Sequence, residues 1–133
     1  MNEFYEQEVE EVMQGHVWDL PLVGEKDDIR MVLIVLTARG YVWVVDDMAN
    51  MNIVGVITEH DALYLFEKFN EDMTAGDIAK RDLIYCTKEE KIKDVLDKVK
   101  RHNVRRLSVV ENGKIIGEIT LRHLIEKFYS LIL

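Results

Sequence analysis

Residues Arg106 to Thr120 read Arg-Leu-Ser-Val-Val-Glu-Asn-Gly-Lys-Ile-Ile-Gly-Glu-Ile-Thr, two largely apolar runs on either side of Asn112-Gly113. Asn-Gly is the strongest short hairpin signal, because both central residues of a type I′ turn need a positive φ. The stretch predicts strands over Arg106–Val110 and Lys114–Ile119. Upstream, Ile92, Val95, Leu96 and Val99 fall at i, i+3, i+4 and i+7, one apolar stripe of a helix running from about Glu89 to His102. A short strand from Leu83 to Cys86 precedes that helix, and a last helix follows Thr120. The order is β-α-β-β-α.

The same order occurs earlier in the chain. Ile29, Val32, Leu33 and Leu36 repeat the helical stripe at an offset of 63 residues. Val44-Val45-Asp46 matches Val109-Val110-Glu111 at 65, and Gly55-Val56-Ile57-Thr58 matches Gly117-Glu118-Ile119-Thr120 at 62. The first copy is expected to hold a strand around Val17–Val23 and a helix over about Asp27–Ala38. Its two further strands, one through Val42–Val45, are joined by the longer turn Asp47–Asn52. Asp27-Asp28 and Glu89-Glu90 are expected in first helical turns, where carboxylates favour the dipole. Thr58 and Thr120 are expected as N-caps. Met1–Met13 reads as a leading helix and Met73–Ala79 as a linking segment with its own helical turn. The chain divides into a first repeat with its leading helix, 1–70, and a second repeat, 71–133. A unit of about 60 residues buries too little surface to be secure alone. The two copies are therefore expected to pack about a pseudo-twofold axis. The fold class is α+β (α/β in looser usage).

Composition narrows the functional classes. The chain has 133 residues, 48% of them apolar, with a net charge of -8. That balance argues against nucleic acid as a partner, since phosphate backbones are bound through clustered Lys and Arg. Lys98, Lys100, Arg101, Arg105 and Arg106 nonetheless form a local basic cluster, which reads either as a solvated face or as a small-anion site. A single cysteine, Cys86, excludes an intramolecular disulfide, and the four histidines share no ligand spacing, so no metal is expected. The longest apolar run, Met31–Leu36, falls far short of the ~20 residues of a membrane helix. A cytoplasmic location is the expectation. No nucleophile elbow, P-loop or zinc-protease motif occurs, so the chain is not expected to be an enzyme.

The hairpins run into Gly55-Val56-Ile57-Thr58-Glu59-His60-Asp61 and Gly117-Glu118-Ile119-Thr120-Leu121-Arg122-His123. A tandem βαββα unit ending in Gly-x-x-Thr-x-x-Asp resembles the CBS domain, two of which form a Bateman module. The resemblance covers about Val9 to Phe128. It implies a regulatory protein in which the cleft between repeats binds an adenosine ligand: AMP, ADP, ATP or S-adenosylmethionine. It implies a phosphate contact at Thr58 and a ribose contact at Asp61. Gly55 would let backbone approach a ligand closely. Adenine would be held by some of Val42, Trp43, Ile57, Tyr85 and Cys86. His123 stands where the second repeat should carry the ribose Asp. It reads as a phosphate contact to a ligand held mainly by Asp61, aided by Arg122 or by Arg105 and Arg106, or as a plain helix residue; Thr120 is a further candidate ligand contact. Taken alone, Asp61 is an ordinary first-turn carboxylate; inside a matched repeat it reads as a ligand contact. The resemblance also implies a homodimer, which would cover the apolar end Phe128–Leu133, and a target protein that receives the signal. The alternative reading is an interaction module that binds no nucleotide, which the loss of Asp at His123 favours.

Overall fold

The computed structural model describes residues 2–133. Its helices are α1 (Asn2–Glu6), α2 (Ile29–Arg39), α3 (Leu63–Lys68), α4 (Ala75–Ile78), α5 (Ile92–His102) and α6 (Leu121–Ile132). Its strands are β1 (Leu22–Gly24), β2 (Tyr41–Val45), β3 (Ile53–Thr58), β4 (Tyr85–Cys86), β5 (Arg106–Glu111) and β6 (Lys114–Thr120). They form two three-stranded sheets, β1-β2-β3 and β4-β5-β6, each with one parallel and one antiparallel pairing.

The duplication holds to single residues. Trp43 pairs with Val56 and Val44 with Gly55, while Ser108 pairs with Glu118 and Val109 with Gly117. The register then slips at Val44/Val45 and at Val109/Val110, the same place in both copies. Asn112 and Gly113 carry φ of 53° and 80°, as a type I′ turn requires. Helix α2 ends on Gly40 at φ 83° and α5 on Asn103 at φ 51°, left-handed caps that stop both helices at the same point.

Several boundaries differ from the sequence expectation. The leading helix stops at Glu6, and a 3-10 turn at Val9–Glu11 follows. Val17–Asp19 is another 3-10 turn, so the first strand begins only at Leu22. The acidic pairs lie just before their helices. Asp28 is the N-cap of α2, accepting from the Arg30 N–H at 2.8 Å. Asp27 accepts from Gly24 N–H at 2.7 Å, and Glu90 from Thr87 N–H at 2.6 Å. Asp27 and Glu90 close the turn between strand and helix, while the Asp28 carboxylate caps the positive end of α2.

The two compact units exchange segments. One consists of Met1–Leu20 with Ile84–Leu133, the other of Pro21–Leu83. The leader, which precedes the first repeat in sequence, thus belongs to the core of the second. Phe4 and Val9 are buried there with Ile92, Val95, Leu107, Val109, Ile119 and Leu124. Burial of each such side chain is worth roughly 2 kcal/mol. Phe4 also meets Phe128 edge to face at 5.3 Å, and Glu6 binds Lys91 and Lys93 at 2.7 and 2.9 Å. Those two ammonium groups hold the Glu6 carboxyl down at about 2. Segment 73–80 does the corresponding job in the other unit. Its Ala75 is buried with Val23, Ile29, Val32, Leu36, Val42, Val44, Ile57 and Leu65.

The exchanged segments make the same hydrogen bonds. Ile29 N–H donates to Met73 and Ala75 N–H to Asp27; Ile92 N–H donates to Gln7 and Val9 N–H to Glu90. Each segment then pairs with the last strand. Val56 and Lys80 exchange backbone bonds of 3.0 and 2.8 Å, and Gln14 and Glu118 exchange bonds of 2.9 and 3.0 Å. The strap needs room. A β-carbon on Gly55 would lie 2.6 Å from the Lys80 carbonyl oxygen, and one on Gly117 would lie 2.6 Å from that of Gln14. Gly55→Ala and Gly117→Ala are each expected to cost about 2 kcal/mol, because backbone has to move. Gly15→Ala, which meets only the end of the Met13 side chain at 3.4 Å, should stay within about 0.5 kcal/mol. Thermal melts of the three variants check the contrast.

Candidate functional site

The two Gly-x-x-Thr-x-x-(Asp/His) segments stand at the ends of β3 and β6. The crowding at Gly55 gives the glycine a use within the chain: its missing β-carbon makes room for the Lys80 carbonyl. Three residues on, the Thr58 backbone N–H donates to Asp61 Oδ2 at 2.8 Å, and the Thr58 hydroxyl donates to the same oxygen at 3.1 Å. Thr58 is therefore not an N-cap acceptor. Glu59–Ala62 forms a turn, and α3 begins only at Leu63. The carboxylate is fixed through Oδ2, and Oδ1 takes no part in these bonds. A carboxylate held in one rotamer is prepared to accept from a polyol at small further cost in entropy.

In the other unit Thr120 is a true N-cap. Its hydroxyl accepts from the His123 N–H at 3.1 Å, and α6 starts at once at Leu121. The His123 ring closes the box, with Nδ1 accepting from the Thr120 N–H at 3.2 Å. Arg106 stands opposite Thr120 in the ladder, and the Arg105 carbonyl accepts from the Leu121 N–H at 2.8 Å. Arg105, just ahead of β5, is exposed, and Arg106, its first residue, is half-buried. Arg122 is exposed and paired with Glu126 at 3.1 Å. Tyr85 is exposed, in register with Ser108. Gly55, Ile57, Thr58 and Asp61 thus belong to one compact unit, and Tyr85, Arg105, Arg106, Thr120, Arg122 and His123 to the other.

Three expected adenine contacts are corrected. Ile57, Val42 and Cys86 have no exposed surface, and their side chains lie in the core clusters. Trp43 is also buried, but outside the core cluster, edge to face with Tyr41 at 5.8 Å. A contrast between the repeats was not anticipated. The row Leu22-Trp43-Val56 in one sheet is matched by Tyr85-Ser108-Glu118 in the other. Ser108 and Glu118 are both buried, and among the described residues the Ser108 hydroxyl has no hydrogen-bond partner. The signal was present in sequence, as a Ser and a Glu at positions that are Trp and Val in the first copy.

Among the described residues, no three His, Cys, Asp or Glu side chains converge as metal ligands do, and no helix is long and apolar enough to cross a membrane.

A duplicated βαββα unit with matched sheet registers defines the class, and comparison with known sequences gives the family. A CBS domain profile matches residues 9–68 and 75–130. The chain belongs to the CBS domain family and carries a tandem pair. It is 31% identical over 113 residues to the uncharacterized protein MJ1225 of Methanocaldococcus jannaschii, a match spanning 84% of this chain and 39% of that one. The chain therefore spans about two fifths of that relative's length. Among solved structures it resembles CBSX2 in complex with AMP, with a TM-score of 0.82, 22% identity and coverage of 95% and 98% of the two chains. It also resembles the CBS domain of a bacterial CNNM/CorC family Mg2+ transporter in complex with ATP, with a TM-score of 0.80, 22% identity and coverage of 97% and 92%.

The buried cysteine gives a check on this geometry. Burial pushes the Cys86 thiol up to about 12, so the reactive thiolate is scarce at neutral pH. A thiol reagent at pH 8 should leave the native protein unlabelled over an hour and label it fully in denaturant. Rapid labelling of native protein would contradict the core placement.

Proposed function

We propose that this CBS pair is a regulatory module that binds an adenosine ligand, AMP, ADP, ATP or S-adenosylmethionine, through Asp61. The observation that carries the reading is the Thr58–Asp61 box, in which Oδ2 is spent on the cap and Oδ1 is presented from a fixed carboxylate. An ionised carboxylate only accepts, which suits the two hydroxyls of a ribose. The solved CBS structures with AMP and ATP support the ligand class. Tyr85, Arg105, Arg106, Arg122 and the two threonines remain candidates for base and phosphate.

The module acts by differential binding: a ligand shifts an equilibrium between arrangements only by its difference in affinity for them. The output passes to a second copy or to a target protein. Exposed apolar side chains on the helices support such a contact: Met31 and Ile34 on α2, Phe66 on α3, Ile125, Tyr129 and Ile132 on α6. This role is non-catalytic, cytoplasmic, and independent of metal, nucleic acid and membrane.

A second reading, an interaction module without nucleotide, is favoured by the same box: Asp61 already has partners within the chain. Thermal melts with AMP, ADP, ATP, S-adenosylmethionine and GMP separate the two. A ligand at 100 times its dissociation constant adds about 2.7 kcal/mol, which raises the midpoint by several degrees. One adenosine ligand should give that shift in the wild type. Asp61→Asn, whose amide oxygen can still cap Thr58, should abolish it. No shift at millimolar ligand supports the interaction module.

A further inference from the structure

Helix α1 covers one repeat and has no equivalent in the other. The strap bonds align Gln7 with Met73, because their carbonyls accept from Ile92 and Ile29, the first residues of α5 and α2. On that alignment α1 falls on residues 68–72. There α3 ends and a turn follows, closed by the Met73 N–H on the Asn70 carbonyl at 3.1 Å. The unit Pro21–Leu83 therefore closes with a strap alone. Its Phe66, which matches Phe128 in sequence, is 84% exposed, whereas Phe128 is half-buried against Phe4.

The seat under α1 has its own chemistry. Phe4 is buried in a cluster with Ile92 and Val95 of α5 and Leu124 of α6. Beside it, the Glu6 carboxylate takes Lys91 and Lys93 at 2.7 and 2.9 Å. The residues matching these lysines, Asp28 and Arg30, pair with each other at 3.0 Å. Helix α1 is also weakly tied, since its five residues are too few to be stable through their own hydrogen bonds. Where it meets the strap, Gln7 Oε1 is buried and, among the described residues, has no hydrogen-bond partner. Opening at that joint relieves an unfavourable state.

We propose that α1 is a displaceable cover, and that the seat between α5 and α6 docks a short acidic helix of a target protein. An aromatic side chain enters where Phe4 lies, and a carboxylate two residues on meets Lys91 and Lys93. Charge complementarity favours that occupant: an apolar socket beside two ammonium groups accepts an acidic amphipathic helix and repels a basic one. The strap stays in place throughout, as 73–80 does in the unit without a cover. The seat is independent of any ligand at Asp61.

The test uses the full chain. If α1 is a cover, the loss on Phe4→Ala stops at the cost of undocking it. Phe4→Ala should then lower the melting midpoint less than Val9→Ala, although it removes the larger side chain; the reverse order overturns the inference. A synthetic peptide of residues 2–8 stands in for the target helix. Added at millimolar concentration to nitrogen-15-labelled Phe4→Ala, it should shift the amides of Lys91, Lys93 and Phe128. Binding to wild type should be about tenfold weaker or more, because α1 occupies the seat. The same peptide carrying Glu6→Lys should bind Phe4→Ala about fivefold more weakly, or less still. The inference is overturned if the peptide leaves Phe4→Ala unshifted, if wild type binds it as tightly, or if the two peptides bind alike. Should Phe4→Ala fail to fold, full-length Glu6→Lys takes its place. A wild-type dimer in sedimentation that Phe4→Ala turns into monomer would place α1 in a second copy and overturn the target-protein reading.

Discussion

The backbone strap at the two glycines is the constraint on which the rest of the structure depends. The Lys80 carbonyl at Gly55 and the Gln14 carbonyl at Gly117 both occupy space that any side chain would fill. Each strap does two things in its unit. It satisfies orphan backbone groups at the start of α2 or α5, and it extends the edge of β3 or β6. Exposed strand edges and unpaired helix termini are costly features of so small a body. The strap closes one of each with a segment of eight residues, 73–80 or 7–14. Because the segment ahead of each repeat serves the other, neither half of the sequence carries a complete unit.

The straps also position the chemistry. Thr58 and Thr120 lie two residues beyond the strapped positions Val56 and Glu118. The strand ends are therefore held from both sides, by the ladder to β2 or β5 and by the strap. A box at the end of a pinned strand has little freedom to rearrange. In such a setting the side chain three residues on decides what is offered outward. Asp61 and His123 both accept from the N–H of the threonine three residues before them, but a turn follows Thr58 and a helix follows Thr120.

What could be read from the sequence was what local rules control. The hairpin at Asn112-Gly113, the stripes Ile29-Val32-Leu36 and Ile92-Val95, and the duplication follow from turn chemistry and periodicity, and they carry the fold. The exchange of segments was not read. Short 3-10 turns show no period, and nothing local says which core will take them. A trace existed nonetheless: Val9, Val12 and Met13 share the spacing of Ala75, Ile78 and Ala79, and Glu11 matches Asp77. At the site, residue types were legible and roles were less so. A glycine announces close approach without naming what approaches. Beside Thr58 in sequence, Ile57 reads as a ligand contact, but strand alternation turns its side chain to the opposite face, into the core.

The measurement that tests the account most directly is an AMP titration of isotopically labelled protein followed by amide NMR. The largest shifts should fall at Thr58 and Asp61. Shifts centred on Thr120 and His123, or none at millimolar AMP, would contradict it.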